Sequence, residues 1–235
     1  MSTKRTIAQR WHDVDQRTSI AAEKSGRLRK DITIVGVTKY VDVNQTRMLF
    51  QAGCHDLGES RPQSLWTKSD QLSDLSIRWH LIGHLQRNKS RRTISIVQCV
   101  HSVDSLRLAQ QISGDASELG TDVSILLEVN VSGDSNKTGM LPSELVRTAT
   151  AIVELPNLKM LGLMGMAGLG NREPKHDFAA IRQLRDQLQL ELGTEVELGE
   201  LSMGMSGDFE VAIQEGATMV RVGSILFDDN TDSNT

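Results

Sequence analysis

VGVTKYVDV, residues 35–43, begins like a buried β-strand and does not end like one. Val35 and Val37 are β-branched and apolar, as a pleated, packed strand favours. The run then closes on Thr38, Lys39 and Tyr40, the only tyrosine in the chain. A helical pattern over 43–52 follows. A strand that runs straight into a helix is one βα unit, so the fold depends on how often that unit recurs.

It recurs along the whole chain. Candidate strands lie at Ile32–Lys39, His55–Glu59, Arg78–Gly83, Gln98–Ser102, Val123–Asn130, Lys159–Met166, Val196–Met203 and Met219–Leu226. The clearest helical candidates between them are 43–52, 61–74, 105–118, 143–154, 175–191 and 207–215, with Asp104-Ser105 and Ser143 as N-cap chemistry. Ile7, Trp11, Val14 and Ala21 predict a further amphipathic helix over 5–26. Eight strand-then-helix repeats predict an α/β protein, a single (β/α)8 TIM-type barrel with an additional N-terminal helix. A doubly wound open sheet is the alternative. It is disfavoured because G-x-G-x-x-G is absent, and the glycine-rich GLMGMAGLG (162–170) has other spacing and comes late. No Pro- or Ser-rich linker divides the chain, so 1–235 reads as one domain, with 228–235 as a disordered tail.

Composition narrows the function classes. Hydrophobic residues at 38% and charged residues at 24% fit a soluble globular chain. A net charge of -4 and short basic runs give nucleic acid no footprint, and Lys89-Ser90-Arg91-Arg92 reads as a solvated helix face. No apolar run reaches the ~18 residues of a membrane helix, and charge stands where a signal peptide would be apolar. Cys54 and Cys99 have neither disulfide nor zinc-site spacing, so a cytoplasmic location is expected. His80 and His84 form H-x3-H, but on a strand and turn with no clear third ligand, so no metal site is expected.

Barrels of this type carry their chemistry at the C-terminal strand ends. The first strand ends there in an amine, Lys39. A lysine desolvated among apolar residues gives up its proton more readily and becomes a nucleophile towards an aldehyde. Ion pairing with Glu59 or another mouth carboxylate is the simpler reading. Alternation along the strand turns Tyr40 away from the site, or Tyr40 lies past the end of the strand. At the other end of the chain, SMGMSGDFEVAIQEG (202–216) predicts a strand end, a loop and a helix starting near Gly207, and MVRVGSILF (219–227) follows. Loops after strands seven and eight are the common phosphate site of such barrels, and Gly223 would let a ligand approach the backbone. An amine across from a phosphate cradle is what pyridoxal 5'-phosphate (PLP) requires.

Several segments together resemble one family. They are VGVTKY, DLGES with Gln63, WHLIGHLQRNK (79–89), HSVD (101–104), EVNVSGDSNKTG (128–139), LKMLGLMGM (158–166), LSMGMSGDFEVAI (201–213) and MVRVGSILF, in order over 32–227. The chain is similar to the pyridoxal phosphate homeostasis proteins, PLP-binding barrels related to the alanine racemase N-terminal domain. The resemblance implies that Lys39 forms the aldimine with PLP. It implies that Ser206, Gly207, Gly223 and Ser224 hold the phosphate, that Arg221 lies near the pyridine nitrogen and that Met164 lies beside the ring. An arginine there would not keep that nitrogen protonated, and the cofactor would be a weaker electron sink. The family pattern G-E-N-Y-x-Q-E is broken here to GESRPQS (58–64). Ser60 stands for the usual asparagine and can still hydrogen-bond. Lys137, in the loop after strand five, is a possible second amine for cofactor release.

Related racemases use a second base, a tyrosine from a separate C-terminal domain. This chain ends soon after its eighth strand, and its one tyrosine is expected to face away. The expected function is therefore PLP binding in intracellular PLP homeostasis, with PLP and apo PLP-dependent enzymes as partners and no racemase turnover. The alternatives are a PLP-dependent amino-acid enzyme and a cofactor-free Schiff-base aldolase.

Overall fold

In the computed structural model, which describes residues 5–133, 138–168 and 173–228, eight parallel strands hydrogen-bond in chain order and close into a barrel. They are β1 (Thr33–Val37), β2 (Asp56–Glu59), β3 (Arg78–Leu81), β4 (Val97–Val103), β5 (Val123–Val129), β6 (Leu158–Gly165), β7 (Glu200–Ser202) and β8 (Met219–Val222). Closure is made by β1 on β8, from Thr33 opposite Met219 to Gly36 opposite Val222. The helices are α1 (Ile7–Lys24), α2 (Val43–Gln51), α3 (Pro62–Gln71), α4 (Ser90–Ile94), α5 (Leu106–Leu119), α6 (Pro142–Val153), α7 (Pro174–Leu192), α8 (Phe209–Gln214) and α9 (Ser224–Phe227).

Period-two alternation sorts the strand residues onto two faces. Ile34, Leu57, Trp79, Leu81, Val100, Ile125, Leu127, Leu163, Leu201, Val220 and Val222 face outward into one large core shared with the helices. Cys99, Leu126, Met164 and Met219 form a separate apolar cluster inside the barrel. Gly36 explains the glycine in the opening stretch. A Cβ there would lie 2.8 Å from both Cys54 Sγ and Leu49 Cδ2, so its absence lets α2 pack against β1. The additional N-terminal helix is α1. Thr6 and Gln9 cap it reciprocally, Val14, Thr18, Ala21 and Ala22 are its buried face, and Arg17 ties it to Glu210 of α8 at 2.5 Å.

Two sequence expectations change. The strand expected at Met219–Leu226 stops at Val222, and Ser224–Phe227 is a helical turn. A short apolar run such as ILF does not distinguish strand from helix by period. The strand expected at Val196–Met203 keeps only Glu200–Ser202. Val196 and Leu198 bond instead to Gln189 and Arg185 of α7, which removes their backbone groups from the ladder. The basic cluster at 89–92 lies on α4 and the turn before it. Arg91 pairs with Glu118, and Arg92 pairs with Asp70 at 3.1 Å, both exposed. Apart from Asp228, the tail expected at 228–235 lies outside the described residues. Among the described residues, no helix is long and apolar enough to cross a membrane.

Candidate functional site

The C-terminal ends of β1, β2, β3, β6 and β8 and the loop after β7 surround a cavity of about 540 Å³. Of the residues named from sequence, Lys39, Ser60, Ser206, Gly207, Arg221, Gly223 and Ser224 line it. Met164 does not. It is buried one layer lower with Cys99, Leu126 and Met219, and Met166 takes the wall position. Met166 lies just past the end of β6, two residues after Met164 and one layer nearer the mouth. Val37, Tyr40, Val41, Ile82, Met205, Phe227 and Asp228 complete the lining. Lys137 lies outside the described residues.

Lys39 sits one residue beyond Thr38, on the turn after β1, and is exposed. The desolvation expected from the sequence is therefore absent, because the strand ends at Val37 and the amine projects past the packed layers. The expected pairing with Glu59 is also replaced. Glu59 faces outward from β2, fully buried, and its Oε1 receives Lys68 Nζ at 2.5 Å and Thr38 Oγ1 at 2.7 Å. Lys68 Nζ also donates to the Thr38 carbonyl at 2.6 Å. A buried ion pair thus clamps the residue that precedes Lys39. Tyr40 is a correction as well. Strand alternation no longer applies in the turn, closed by Val41 N–H on Thr38 O, and Lys39 Nζ lies 4.9 Å from the Tyr40 ring centroid.

Across the cavity, Gly223 N–H donates to Ser206 Oγ at 3.0 Å, joining the loops after β7 and β8. A Cβ on Gly207 would meet nothing within 4 Å, so its backbone is open to a ligand. Gly223 also packs closely against β1. A Cβ there would lie 3.2 Å from Val37 Cβ and 3.3 Å from Val37 O, where β8 closes on β1. Helix α8 begins at Phe209 rather than near Gly207, because the Asp208 carboxylate takes the Met205 N–H at 2.6 Å and its own backbone is not helical. Burial pushes the Asp208 carboxyl up, with the Met205 N–H and Arg221 acting against it.

Arg221 is almost fully buried under the cavity. Its NH1 donates to Ser202 O at 2.7 Å and Ser202 Oγ at 2.8 Å, and its NH2 to Gly165 O at 3.0 Å. Burial lowers the guanidinium to about 10, against the opposing charges of Glu128 and Asp208. Glu128, inward on β5, accepts from Thr138 Oγ1 at 2.5 Å, and burial raises its carboxyl. His80 and His84 part company. His84 is exposed, 3.4 Å from Asp104 Oδ2, whereas His80 is buried inside the barrel, hydrogen-bonded to His101 and Asp56.

At the N-terminal end of the barrel, Asp56 receives His80 Nε2 at 3.1 Å and Arg78 at 2.8 and 2.6 Å. Burial alone would raise its carboxyl, but the hydrogen bonds from His80 and Arg78 and the charge of Arg78 win and hold it at about 2. A carboxylate depressed from its unfolded value near 3.9 stabilises the fold above that value and stops doing so as pH falls through the folded one. The contribution is ~2 kcal/mol at neutral pH. Urea denaturation from pH 6 to pH 2 should show this loss, and Asp56→Asn should flatten the acid limb. An unchanged slope in Asp56→Asn would remove Asp56 as its source.

These features fit a small phosphorylated aldehyde. The cavity offers one exposed amine, a two-loop rim with serine hydroxyls and an open glycine backbone, a buried cation beneath, and apolar walls from Val37, Ile82 and Met166. Comparisons agree with that chemistry. The alanine racemase N-terminal domain family matches residues 29–231. The pyridoxal phosphate homeostasis protein of Aquifex aeolicus is 40% identical over 221 residues, covering 93% of this chain and 96% of that one. Its namesake in Pseudomonas aeruginosa is 39% identical over 224 residues, covering 94% and 95%. The solved structure of PipY from Synechococcus elongatus with PLP bound superposes with a TM-score of 0.84 at 33% identity, covering 94% of this chain and 100% of PipY. A Clostridium difficile alanine racemase shares the fold at TM-score 0.70 and 18% identity, with 58% of its own chain covered.

Proposed function

This chain belongs to the pyridoxal phosphate homeostasis protein family, on the barrel of the alanine racemase N-terminal domain, and from that membership we propose that it binds PLP at the barrel mouth and holds it for supply to apo PLP-dependent enzymes. The observation that carries the reading is one cavity onto which Lys39, Ser206, Gly207, Ser224 and Arg221 all open. Bound PLP supplies an aldehyde that condenses reversibly with an amine, and a phosphate that anchors it.

The protein's own residues divide that work. Lys39 presents its amine from an exposed turn, so loading and release need no burial or unburial of a charge. Ser206, Gly207 and Ser224 offer hydroxyl and N–H donors to an anion. Arg221 stays protonated and donates, which opposes protonation of any ring nitrogen it meets. Ser60 adds a short hydroxyl at the β2 side. Both cysteines are buried free thiols, which suits a reducing cytoplasm.

A second reading, a PLP-dependent enzyme acting on amino acids, has one observation in its favour. The Tyr40 phenol lies on the cavity wall beside Lys39. The two readings separate in heavy water. The supply reading predicts PLP uptake and transfer to an apo-enzyme, with no sustained α-proton exchange of amino acids. Many turnovers of exchange, lost in Tyr40→Phe, would favour the enzyme. A protein that takes up no PLP would end both.

A further inference from the structure

Inside the barrel, one hydrogen-bonded chain runs from the floor to the cavity. Asp56 Oδ1 lies 3.1 Å from His80 Nε2, and His80 Nδ1 lies 2.9 Å from His101 Nε2. His101 Nδ1 lies 2.9 Å from Ser202 Oγ, and Ser202 Oγ lies 2.8 Å from Arg221 NH1. Four strands, β2, β3, β4 and β7, each contribute one inward residue that ends on Arg221 of β8. His80, His101 and Ser202 are at most 2% exposed. TIM-type barrels fill this space with branched apolar side chains, so a polar chain here needs a use that packing does not supply.

The two ends fix the direction of every proton. A guanidinium can only donate, and an ionised carboxylate can only accept. Arg221 donates to Ser202 Oγ, which directs the single hydroxyl proton to His101 Nδ1. His101 must then carry its proton on Nε2 and donate to His80 Nδ1. His80 in turn carries its proton on Nε2 and donates to Asp56. All donors find acceptors with both rings neutral. Burial first, and then the neighbouring His80 and the charge of Arg221, push His101 well below the usual histidine range, which agrees with a neutral His101. The alternative, a His80 imidazolium on Asp56, would reverse His101 and leave the Ser202 hydroxyl proton without a place in the chain.

We infer that Asp56, His80, His101 and Ser202 are positioning residues: a relay of aligned dipoles that holds Arg221 rigid and cationic beneath the cofactor cavity, with both histidines protonated at Nε2 only. Each acceptor end points towards Arg221, so the chain stabilises the buried cation without placing a carboxylate beside it. The fixed donor can then act on a bound ring. This functional half rests on the PLP reading; the proton assignment does not.

The test has two arms. Nitrogen-15 NMR of histidine-labelled, cofactor-free protein near neutral pH should show His80 and His101 as neutral Nε2–H tautomers. An imidazolium at His80 or an Nδ1–H at His101 overturns the relay. In the second arm, PLP-loaded His101→Leu, which breaks the chain, is compared with His101→Gln, whose amide can both accept and donate. His101→Leu should shift the visible band of the bound cofactor and release PLP about tenfold faster, the loss of roughly one hydrogen bond, while His101→Gln stays near wild type. Equal behaviour of the two variants overturns the positioning role. If the wild-type protein takes up no PLP, the function reading fails, and the NMR arm still decides the relay.

Discussion

Lys39→Ala should leave the protein folded and remove its covalent hold on PLP. Lys39 is exposed on a turn and lies outside both hydrophobic clusters, and substitutions of that kind usually change stability by no more than about 0.5 kcal/mol. The chemistry has no equivalent substitute among the described residues of the cavity, because Lys39 is the only lysine lining it. Lys68 Nζ, which bonds the residue before Lys39, is buried and committed to Glu59 and the Thr38 carbonyl. What remains for the cofactor is hydrogen bonding from the loops after β7 and β8, at about 1 kcal/mol net per bond. Retention of PLP through gel filtration should therefore fall on the order of a hundredfold. Borohydride should fix colour to the wild-type chain and none to the variant, as absorbance and intact mass would record. Fixation of PLP to Lys39→Ala at the wild-type level would show that another amine carries the cofactor.

Lys68→Ala should give the largest loss of stability of any single change near the site. Glu59 is fully buried, and among the described residues its Oε2 has no partner and Lys68 Nζ at 2.5 Å is its only cation. Removing one partner of a buried pair leaves an uncompensated charge, which costs about 3–5 kcal/mol. For a chain of this size that lowers the thermal midpoint by about 10 °C. Replacing both partners by apolar residues, Glu59→Leu with Lys68→Met, should recover most of it, because the desolvation penalty disappears with the charges. The clamp also bears on function. Thr38 loses its carbonyl donor when Lys68 goes, and Thr38 sets where Lys39 starts. PLP uptake by folded Lys68→Ala should slow relative to the double variant only if the charge imbalance, and not the lost bond, disturbs the turn. A midpoint within about 2 °C of wild type would show that Glu59 sheds its charge or reaches water when alone.

The candidate site was legible to different depths at different residues. Ser206 and Ser224 were reached because loops after the last two strands of a barrel have a known use, and both line the cavity. Met164 was placed one layer too high, because the sequence does not mark how far a strand's inward residues lie below the mouth. Tyr40 was turned away by alternation, a rule that stopped three residues earlier, when the strand ended at Val37. Lys68 and the interior chain gave no local signal at all. Asp56, His80, His101, Ser202 and Arg221 are spread over 166 positions (221 − 56 = 165 steps) and meet only when five strands register against one another.

Sequence alone determined the barrel, its additional helix and the family, because alternation of strand and helix and the order of short motifs are local and survive without knowledge of contacts. Tertiary structure alone decided which groups share a charge or a proton. Burial and hydrogen bonding depend on distances between strands, and these are set by barrel closure rather than by neighbours along the chain. That is why Lys39 proved exposed, why Glu59 answers to Lys68, and why a polar chain, rather than branched apolar side chains, lies beneath Arg221.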